Sequence, residues 1–324
     1  MQQIDDLLKK FPRVNLSILP TPLQYLPKLS EVLEHNIYIK RDDLTGFSFG
    51  GNKTRKLDFL MAEAIVRGYT AIIGIGANQS NFCRILANAA VRYNLKVHLI
   101  LRGKKVSRPT GNLRIDHLLG ANVHHVNTTD SQVALTAAQQ LQQQLEASGE
   151  RVFLLPPGGS VPIGALGYVA GWSEIYDDLQ RLTHQVGVVM HASSSAGTQA
   201  GLVLGQAISG WNGHIIGVSV DEPKMRLIDN VKNLALAAAK LLNIEPALPP
   251  VEVEDGFIGP GYGIPTAECR AAVELFAKTE GIYLDYVYTG KAAAALIAYC
   301  RTGKIAAADS ILFLHTGGYV QLFE

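Results

Sequence analysis

The sequence predicts an α/β protein made of two three-layer αβα domains with mostly parallel sheets. Three observations carry that expectation. From residue 35 onward, short apolar runs alternate with stretches whose apolar residues recur three and four apart. The runs lack polar alternation, as in Ala71-Ile72-Ile73-Gly74-Ile75-Gly76, which suits strands covered on both faces. Four runs end in clusters of Gly, Ser, Thr or Asn, and ligands of open parallel sheets bind at the carboxyl ends of strands.

Taken in order, residues 1–34 read as an approach segment, with Leu19-Pro20-Thr21-Pro22-Leu23 extended because each proline biases its predecessor away from helix. A strand at 35–40 leads through the loop Arg41 to Gly46 to Gly50-Gly51-Asn52-Lys53, where a helix begins and runs to about Gly68. Strands follow at 71–76, 96–101, 122–126 and 151–155, with helices at 81–93, 113–119 and 133–147 between them. The second half repeats the scheme. Strands fall at 186–191, 214–220, 251–253 and 311–315, and helices at 163–182, 199–208, 224–242, 266–280 and 291–300.

A chain of 324 residues, 48% hydrophobic and 18% charged, has ample material for buried cores. Its net charge of +1 gives no global attraction for nucleic acid or an anionic membrane. No apolar stretch approaches the ~20 residues of a membrane span, and the N-terminus lacks signal-peptide form. Cys83, Cys269 and Cys300 are scattered, without Cys-x-x-Cys spacing, and the histidines show no ligand spacing, so neither a disulfide framework nor a metal site is indicated. The cytoplasm is the expected location.

Lys53 stands where a Gly-Gly loop becomes a helix. Helix-end N–H groups attract anions and disfavour an ammonium charge there, so Lys53 is an anion clamp, a nucleophilic amine or a plain first-turn lysine. Ser193 to Thr198 joins a strand to a helix through hydroxyls and glycine, either a phosphate cradle or an ordinary capped turn. It is neither Gly-x-Gly-x-x-Gly nor a P-loop, so a single phosphomonoester fits it better than a dinucleotide or nucleoside triphosphate. Gln79-Ser80-Asn81 opens the next helix and suits a carboxylate, although Ser80 also serves as an N-cap. Tyr262, in Gly259-Pro260-Gly261-Tyr262-Gly263, and Tyr288 are presented on loops, and no Gly-x-Ser-x-Gly elbow exists. A lysine, a phosphate cradle and a carboxylate pocket on one α/β edge point to pyridoxal 5'-phosphate and an amino-acid substrate.

These residues resemble a known family. Lys40-Arg41-Asp42-Asp43, Gly50 to Leu57, Gln79-Ser80-Asn81, Gly164-Ala165-Leu166-Gly167-Tyr168, Ser195 to Gly201, Pro260 to Gly263, Tyr288 to Lys291 and His315-Thr316-Gly317-Gly318 match the fold type II pyridoxal-phosphate enzymes. Within that group the chain resembles the D-cysteine desulfhydrase and 1-aminocyclopropane-1-carboxylate (ACC) deaminase branch over nearly its whole length. The resemblance implies that Lys53 links to the cofactor and accepts the Cα proton. It implies that Lys56, Ser195, Ala196, Gly197 and Thr198 hold the phosphate and that Asn81 meets the ring hydroxyl. It further implies that Gln79, Ser80, Asn81, Phe82, Gly159 and Ser160 bind substrate, with Tyr262 and Tyr288 flanking it. A large domain of residues 1–48 plus 163–324, a small domain of 49–162 and a homodimer follow from the same resemblance.

Two positions divide the branch. Where this chain has Thr289 and Thr316, ACC deaminases have Glu and Leu near the pyridine nitrogen. A carboxylate there keeps the nitrogen protonated and strengthens the electron sink, whereas a hydroxyl donates to a neutral nitrogen. The weaker sink suffices to expel thiolate from Cβ, so D-cysteine is the expected substrate, giving pyruvate, ammonia and hydrogen sulfide. Phe82, Val161 and Tyr319-Val320 depart from the desulfhydrase pattern. They leave room for a cysteate sulfo-lyase, a D-serine dehydratase or another D-amino-acid lyase, and ACC deamination is a further alternative. A protein that only binds a phosphate ligand is the non-enzymatic alternative.

Overall fold

The computed structural model describes residues 2–306 and 309–323. In chain order the elements begin with α1 (Gln2–Leu8), β1 (Leu23–Tyr25), α2 (Pro27–Leu33), β2 (Ile37–Lys40) and α3 (Asn52–Val66). They continue with β3 (Ala71–Ala77), α4 (Asn81–Arg92), β4 (Lys96–Arg102), α5 (Gly111–Leu118), β5 (Asn122–His125), α6 (Ser131–Ala147) and β6 (Val152–Leu155). After α7 (Pro162–Leu179) come β7 (Val186–Ser193), α8 (Gly197–Ser209), β8 (His214–Ser219), α9 (Lys224–Leu242) and β9 (Glu252–Glu254). The described chain closes with α10 (Ala267–Glu280), α11 (Thr289–Arg301) and β10 (Ser310–Leu314).

Two sheets result. One has six strands in the order β1-β2-β10-β7-β8-β9, the other four in the order β5-β4-β3-β6. All pairings are parallel except the β1–β2 edge. The expected α/β architecture therefore holds. The approach segment of residues 1–34, for which the sequence reading gives no helix, forms α1, an edge strand and α2. Pro27 opens α2, where its missing N–H costs nothing.

Alternation along β3 explains the layers. Ile72 joins Leu60, Leu86 and Leu99 on the face covered by α3 and α4, while Ala71, Ile73 and Ile75 meet Ala134 and Ala138 of α6 on the other. The large sheet is sandwiched in the same way. Trp172, Leu202 and Val231 cover one face, and Phe276 and Leu296 the other, where Phe276 meets Phe313 of β10. Gly74 and Gly76 let α4 lie close on β3, since a Cβ would come within 2.4 Å of Leu86 Cδ2 and 2.5 Å of Cys83 Sγ respectively. That close approach brings the N-terminus of α4 to the carboxyl end of β3.

Helix α3 spans both halves, and buried charge holds it there. Arg55 donates to Asp42 at 2.8 and 2.9 Å and to Glu174 at 2.9 and 3.0 Å. Lys40 pairs with Glu174 at 2.6 Å and with Asp178 at 2.5 Å. Tyr168 donates to Asp42. Burial opposes a charge on Glu174, yet the bonds from Arg55 and the fields of Arg55 and Lys40 hold its carboxyl down to about 2. Four motif residues, Lys40, Asp42, Arg55 and Tyr168, thus fix the position of the helix that carries Lys53.

Candidate active site

A cavity with about 740 Å³ of open space lies where the carboxyl ends of β3, β4 and β7 face the loop after β10. Lys53 enters it from the first turn of α3. Gly51, just before, has φ +118°, and a Cβ there would lie 3.0 Å from Thr316 O. The Gly-Gly loop is therefore required for Asn52 N to donate to Thr316 O at 3.0 Å, which ties α3 to the strand-end loop of the other sheet. Lys53 Nζ donates to Asn52 Oδ1 at 3.0 Å. Burial draws its ammonium down to about 8, against the opposing field of Asp285.

Lys56 lies one turn on, fully buried. Its Nζ donates to Gly158 O and to Ser160 Oγ, the latter at 3.1 Å, and among the described residues it meets no carboxylate. Burial, and then the charge of Lys53, push it well below its ordinary value. The loop from Ser193 crosses directly over it: a Cβ on Gly197 would sit 2.4 Å from Lys56 Nζ and 2.7 Å from Ser160 Oγ. Ser160 Oγ donates to Ser195 Oγ at 2.9 Å, and Thr198 Oγ1 accepts from Asn52 Nδ2 at 3.0 Å. The N-terminus of α8, two hydroxyls and a buried ammonium without an anion converge on one spot.

On the opposite side Ser80 caps α4, accepting from Cys83 N at 3.2 Å and keeping its own hydroxyl proton free to donate. Asn112, in α5, orders the turn before it. Its amide donates to Gln79 O and to Asn81 Oδ1, each at 2.9 Å, and its backbone N–H donates to Gln79 Oε1 at 2.8 Å. The bond at Asn81 Oδ1 fixes that amide's orientation and leaves its NH2 as a donor toward the cavity. Tyr262 and Tyr288 face each other edge-on, ring centroids 5.9 Å apart, with their hydroxyls hydrogen-bonded. Burial pushes Tyr262 up to about 12 and Tyr288 higher still than a free phenol, so both are neutral donors at ordinary pH.

Lys53, Ser80, Asn81, Phe82, Ser195, Ala196, Gly197, Thr198, Tyr262, Tyr288 and Thr316 all stand in the cavity wall. Lys56 and Ser160 lie behind it, beneath the loop. Four expected site residues are turned elsewhere. Gln79 spends its side chain on Thr110 O at 3.2 Å and on Asn112 N. Gly159 packs on the core, where a Cβ would meet Leu60 Cδ1 at 2.8 Å and Phe82 Cε2 at 2.9 Å. Thr289 donates to Asp285 Oδ1 at 2.6 Å and accepts from Asp285 N at 2.9 Å, fully buried and outside the wall. Ser160 likewise serves Lys56 and Ser195 rather than the open space, and Val161 and Tyr319 do not border it. The sequence reading missed Asn52, Asn112, Asp285 and Arg102. Arg102 had a signal: a cation ending an apolar strand at the ligand-binding edge.

The fold and the cradle define a pyridoxal-phosphate enzyme of fold type II. The chain belongs to the pyridoxal-phosphate dependent enzyme family, whose model matches residues 14–317. Proteins of Pyrococcus abyssi and Pyrococcus horikoshii, provisionally named 1-aminocyclopropane-1-carboxylate deaminases, are similar to it. The first is 37% identical over 322 residues, covering 99% of this chain and 96% of the relative. The second is 38% identical over 318 residues, covering 98% and 95%. A solved structure described as an ACC deaminase homologue superposes with a TM-score of 0.93 at 36% identity, covering 100% of this chain and 97% of the other. Threonine deaminase isoform 2 from Solanum lycopersicum shares the fold, with a TM-score of 0.70 at 20% identity over 98% and 84% of the two chains.

The residues present fit pyridoxal 5'-phosphate. Among the described residues the partners of the buried Lys56 ammonium are a carbonyl and a hydroxyl, and a phosphate supplies the missing anion. Gly158 and Gly197 are needed for the close approach: a Cβ on Gly158 would lie 2.3 Å from Ser195 Oγ and 3.4 Å from Lys53 Cε. A primary amine with a depressed pKa stands beside that cradle.

Proposed function

We propose that this protein catalyses β-elimination from a small amino acid, releasing a 2-oxo acid and ammonia, with D-cysteine as the favoured substrate. The single observation that carries the reading is Lys53: a buried amine in the wall of a cavity, next to a phosphate cradle. When bound, the cofactor supplies an electron sink for the bond to the Cα proton.

The chain's residues would divide the work as follows. Lys56, Ser195, Ala196, Gly197 and Thr198 hold the phosphate through one ammonium, hydroxyls and the N–H groups at the start of α8. Lys53 would hold the cofactor through its amine and would accept the Cα proton, since a pKa drawn to about 8 leaves part of it neutral near physiological pH. Ser80 and the free N–H groups of α4 take the substrate carboxylate, and Asn81 offers its NH2 to the ring hydroxyl. Thr316, the one divergent threonine in the wall, would be the neutral hydroxyl near the ring nitrogen, a role that Thr289 cannot share while bonded to Asp285. Tyr262 and Tyr288, protonated and hydrogen-bonded to each other, would leave one hydroxyl proton of the pair to donate to the departing group. Phe82 closes the apolar side and limits the side chain admitted. Acting as a homodimer and dividing into domains of 1–48 plus 163–324 and 49–162 belong to the same proposal.

A hydroxyl at Thr316, where ACC deaminases have leucine, offers a neutral donor from the wall and supports elimination of a good leaving group over opening of a cyclopropane. The names of the Pyrococcus relatives support the second reading, ACC deamination. The test is a panel of D- and L-cysteine, serine, cysteate and ACC, assayed for 2-oxo acid. Pyruvate from D-cysteine is expected. Formation of 2-oxobutyrate from ACC as the main activity would replace the first reading with the second, and turnover of L-enantiomers alone would refute the D-cysteine assignment.

A further inference from the structure

A second cation faces the cavity, and none of the roles above uses it. Arg102 ends β4, in register with Ala77 of β3, and stands in the wall with Ala77 and Ser80. Its Nη1 donates to Ser131 Oγ at 2.6 Å and to Thr129 O at 3.4 Å, which orients the guanidinium plane. Its Nε is buried with no partner among the described residues. Among the described residues the wall holds Lys53 and Arg102 but no Asp or Glu. Asp221, after β8, lies near enough to feel the charge of Arg102, as does Tyr262. Asp221 nevertheless makes no ion pair with it, and accepts instead from Ser194 Oγ at 2.8 Å.

The anions of the proposed reaction are two: the cofactor phosphate, met by Lys56 and the α8 loop, and the substrate carboxylate, met by Ser80 and α4. Arg102 is left over. A partly buried guanidinium edge without an acceptor is costly, and its planar N–H groups match an oxyanion. We infer that Arg102 is a specificity-determining residue for an anionic oxyacid group on the substrate's β-carbon, so that the site takes a β-sulfonate amino acid in preference to one with a neutral hydroxyl.

This inference rests on the elimination reading. With cysteate as the probe, cysteate and water give pyruvate, ammonium and hydrogensulfite, with one net negative charge on each side. The Cα proton goes to Lys53, the Cβ–S bond breaks, and its electron pair leaves with sulfur as sulfite. Water then replaces nitrogen at the former Cα, and ammonia departs. No external oxidant or reductant is required.

The experiment compares holoenzymes of the wild type, Arg102→Met, Arg102→Lys and Asp221→Asn. Calorimetry measures binding of 3-sulfopropionate and butyrate, and kcat/KM is measured for matched enantiomers of cysteate, cysteine and serine. The wild type is expected to bind 3-sulfopropionate about tenfold or more tightly than butyrate, and Arg102→Met to abolish that preference. On cysteate, Arg102→Met should lose about tenfold or more in kcat/KM while serine changes little. Arg102→Lys should keep part of the preference and Asp221→Asn all of it. An equal loss on every substrate would overturn the inference, because Arg102 would then hold the α-carboxylate or only the Ser131 loop. Absence of a sulfonate preference in the wild type would also overturn it, as would an Asp221→Asn variant that behaves like Arg102→Met. If no substrate is turned over, elimination fails as a reading, and the calorimetric preference alone decides the role of Arg102.

Discussion

Replacing Lys56 by Met tests the phosphate site with opposite signs in two states. Without cofactor, Lys56 is a fully buried ammonium facing a carbonyl, a hydroxyl and a second lysine, and its pKa is driven well below the ordinary value. Removing it relieves that burial, so apo Lys56→Met should melt no lower than apo wild type, and higher by on the order of 2 °C for each kcal/mol regained in a chain of this size. With cofactor the sign reverses. A charge-assisted bond to phosphate contributes roughly 1.5–3 kcal/mol, so the variant should bind pyridoxal 5'-phosphate about 10- to 150-fold more weakly. The pH dependence follows from the same shift. Lys53 and Lys56 release protons at lower pH when folded than when unfolded, so the unfolded chain binds more protons between the depressed values and the ordinary lysine value of 10.5. Apo stability therefore rises with pH through that window, and more steeply in the wild type than in the variant. Melting curves of both forms across pH, with titration of the cofactor's visible band, read all three quantities. Unchanged cofactor affinity in Lys56→Met would refute the phosphate assignment, and a large fall in apo melting temperature would refute the uncompensated-charge argument.

Other substitutions separate neighbouring roles. Gly197→Ala places a methyl 2.4 Å from Lys56 Nζ, so cofactor affinity should fall while the apo melting temperature stays nearly level, as read by the same titration and melt. Thr289→Ala removes two bonds to Asp285 and should cost about 1–3 kcal/mol in denaturant unfolding, with kcat little changed. Thr316→Val should do the reverse, lowering kcat with little loss of stability; equal kinetic losses in both would restore Thr289 to the site. Because Tyr262 is raised to about 12 and Tyr288 also upward, neither phenol should produce an alkaline limb in kcat/KM below about pH 10. Tyr288→Phe should lower kcat without moving the profile, and an alkaline limb that vanishes in that variant would contradict the assignment.

The frame of the fold is legible where local chemistry decides it. The β3 run is apolar on both faces, and its glycines admit α4, so strand and helix follow from residues close in sequence. The N-terminal region is less readable, because β1 is an edge strand of three residues and α2 a helix of seven, each dependent on packing. The lysine, the α8 cradle and the α4 cap are visible as motifs because each is a local loop-to-helix junction. Side-chain direction is not. Gln79 turns to Asn112, and Thr289 to Asp285, because a buried polar group takes the nearest partner, and Asn112 lies on a distant stretch of chain. Lys40, Asp42, Arg55 and Tyr168 stand out in the sequence beside the chemical motifs, yet they meet Glu174 and one another to set α3 in place, a role that only long-range contact reveals.

The central claim is that Lys53, and not its neighbour Lys56, carries the cofactor. Borohydride reduction of the holoenzyme, followed by peptide mass spectrometry, tests it directly. The structure predicts the pyridoxyl label on Lys53 alone, with both visible band and label lost in Lys53→Ala. A label on Lys56, or a chain that stays colourless and unlabelled after cofactor addition, would contradict it.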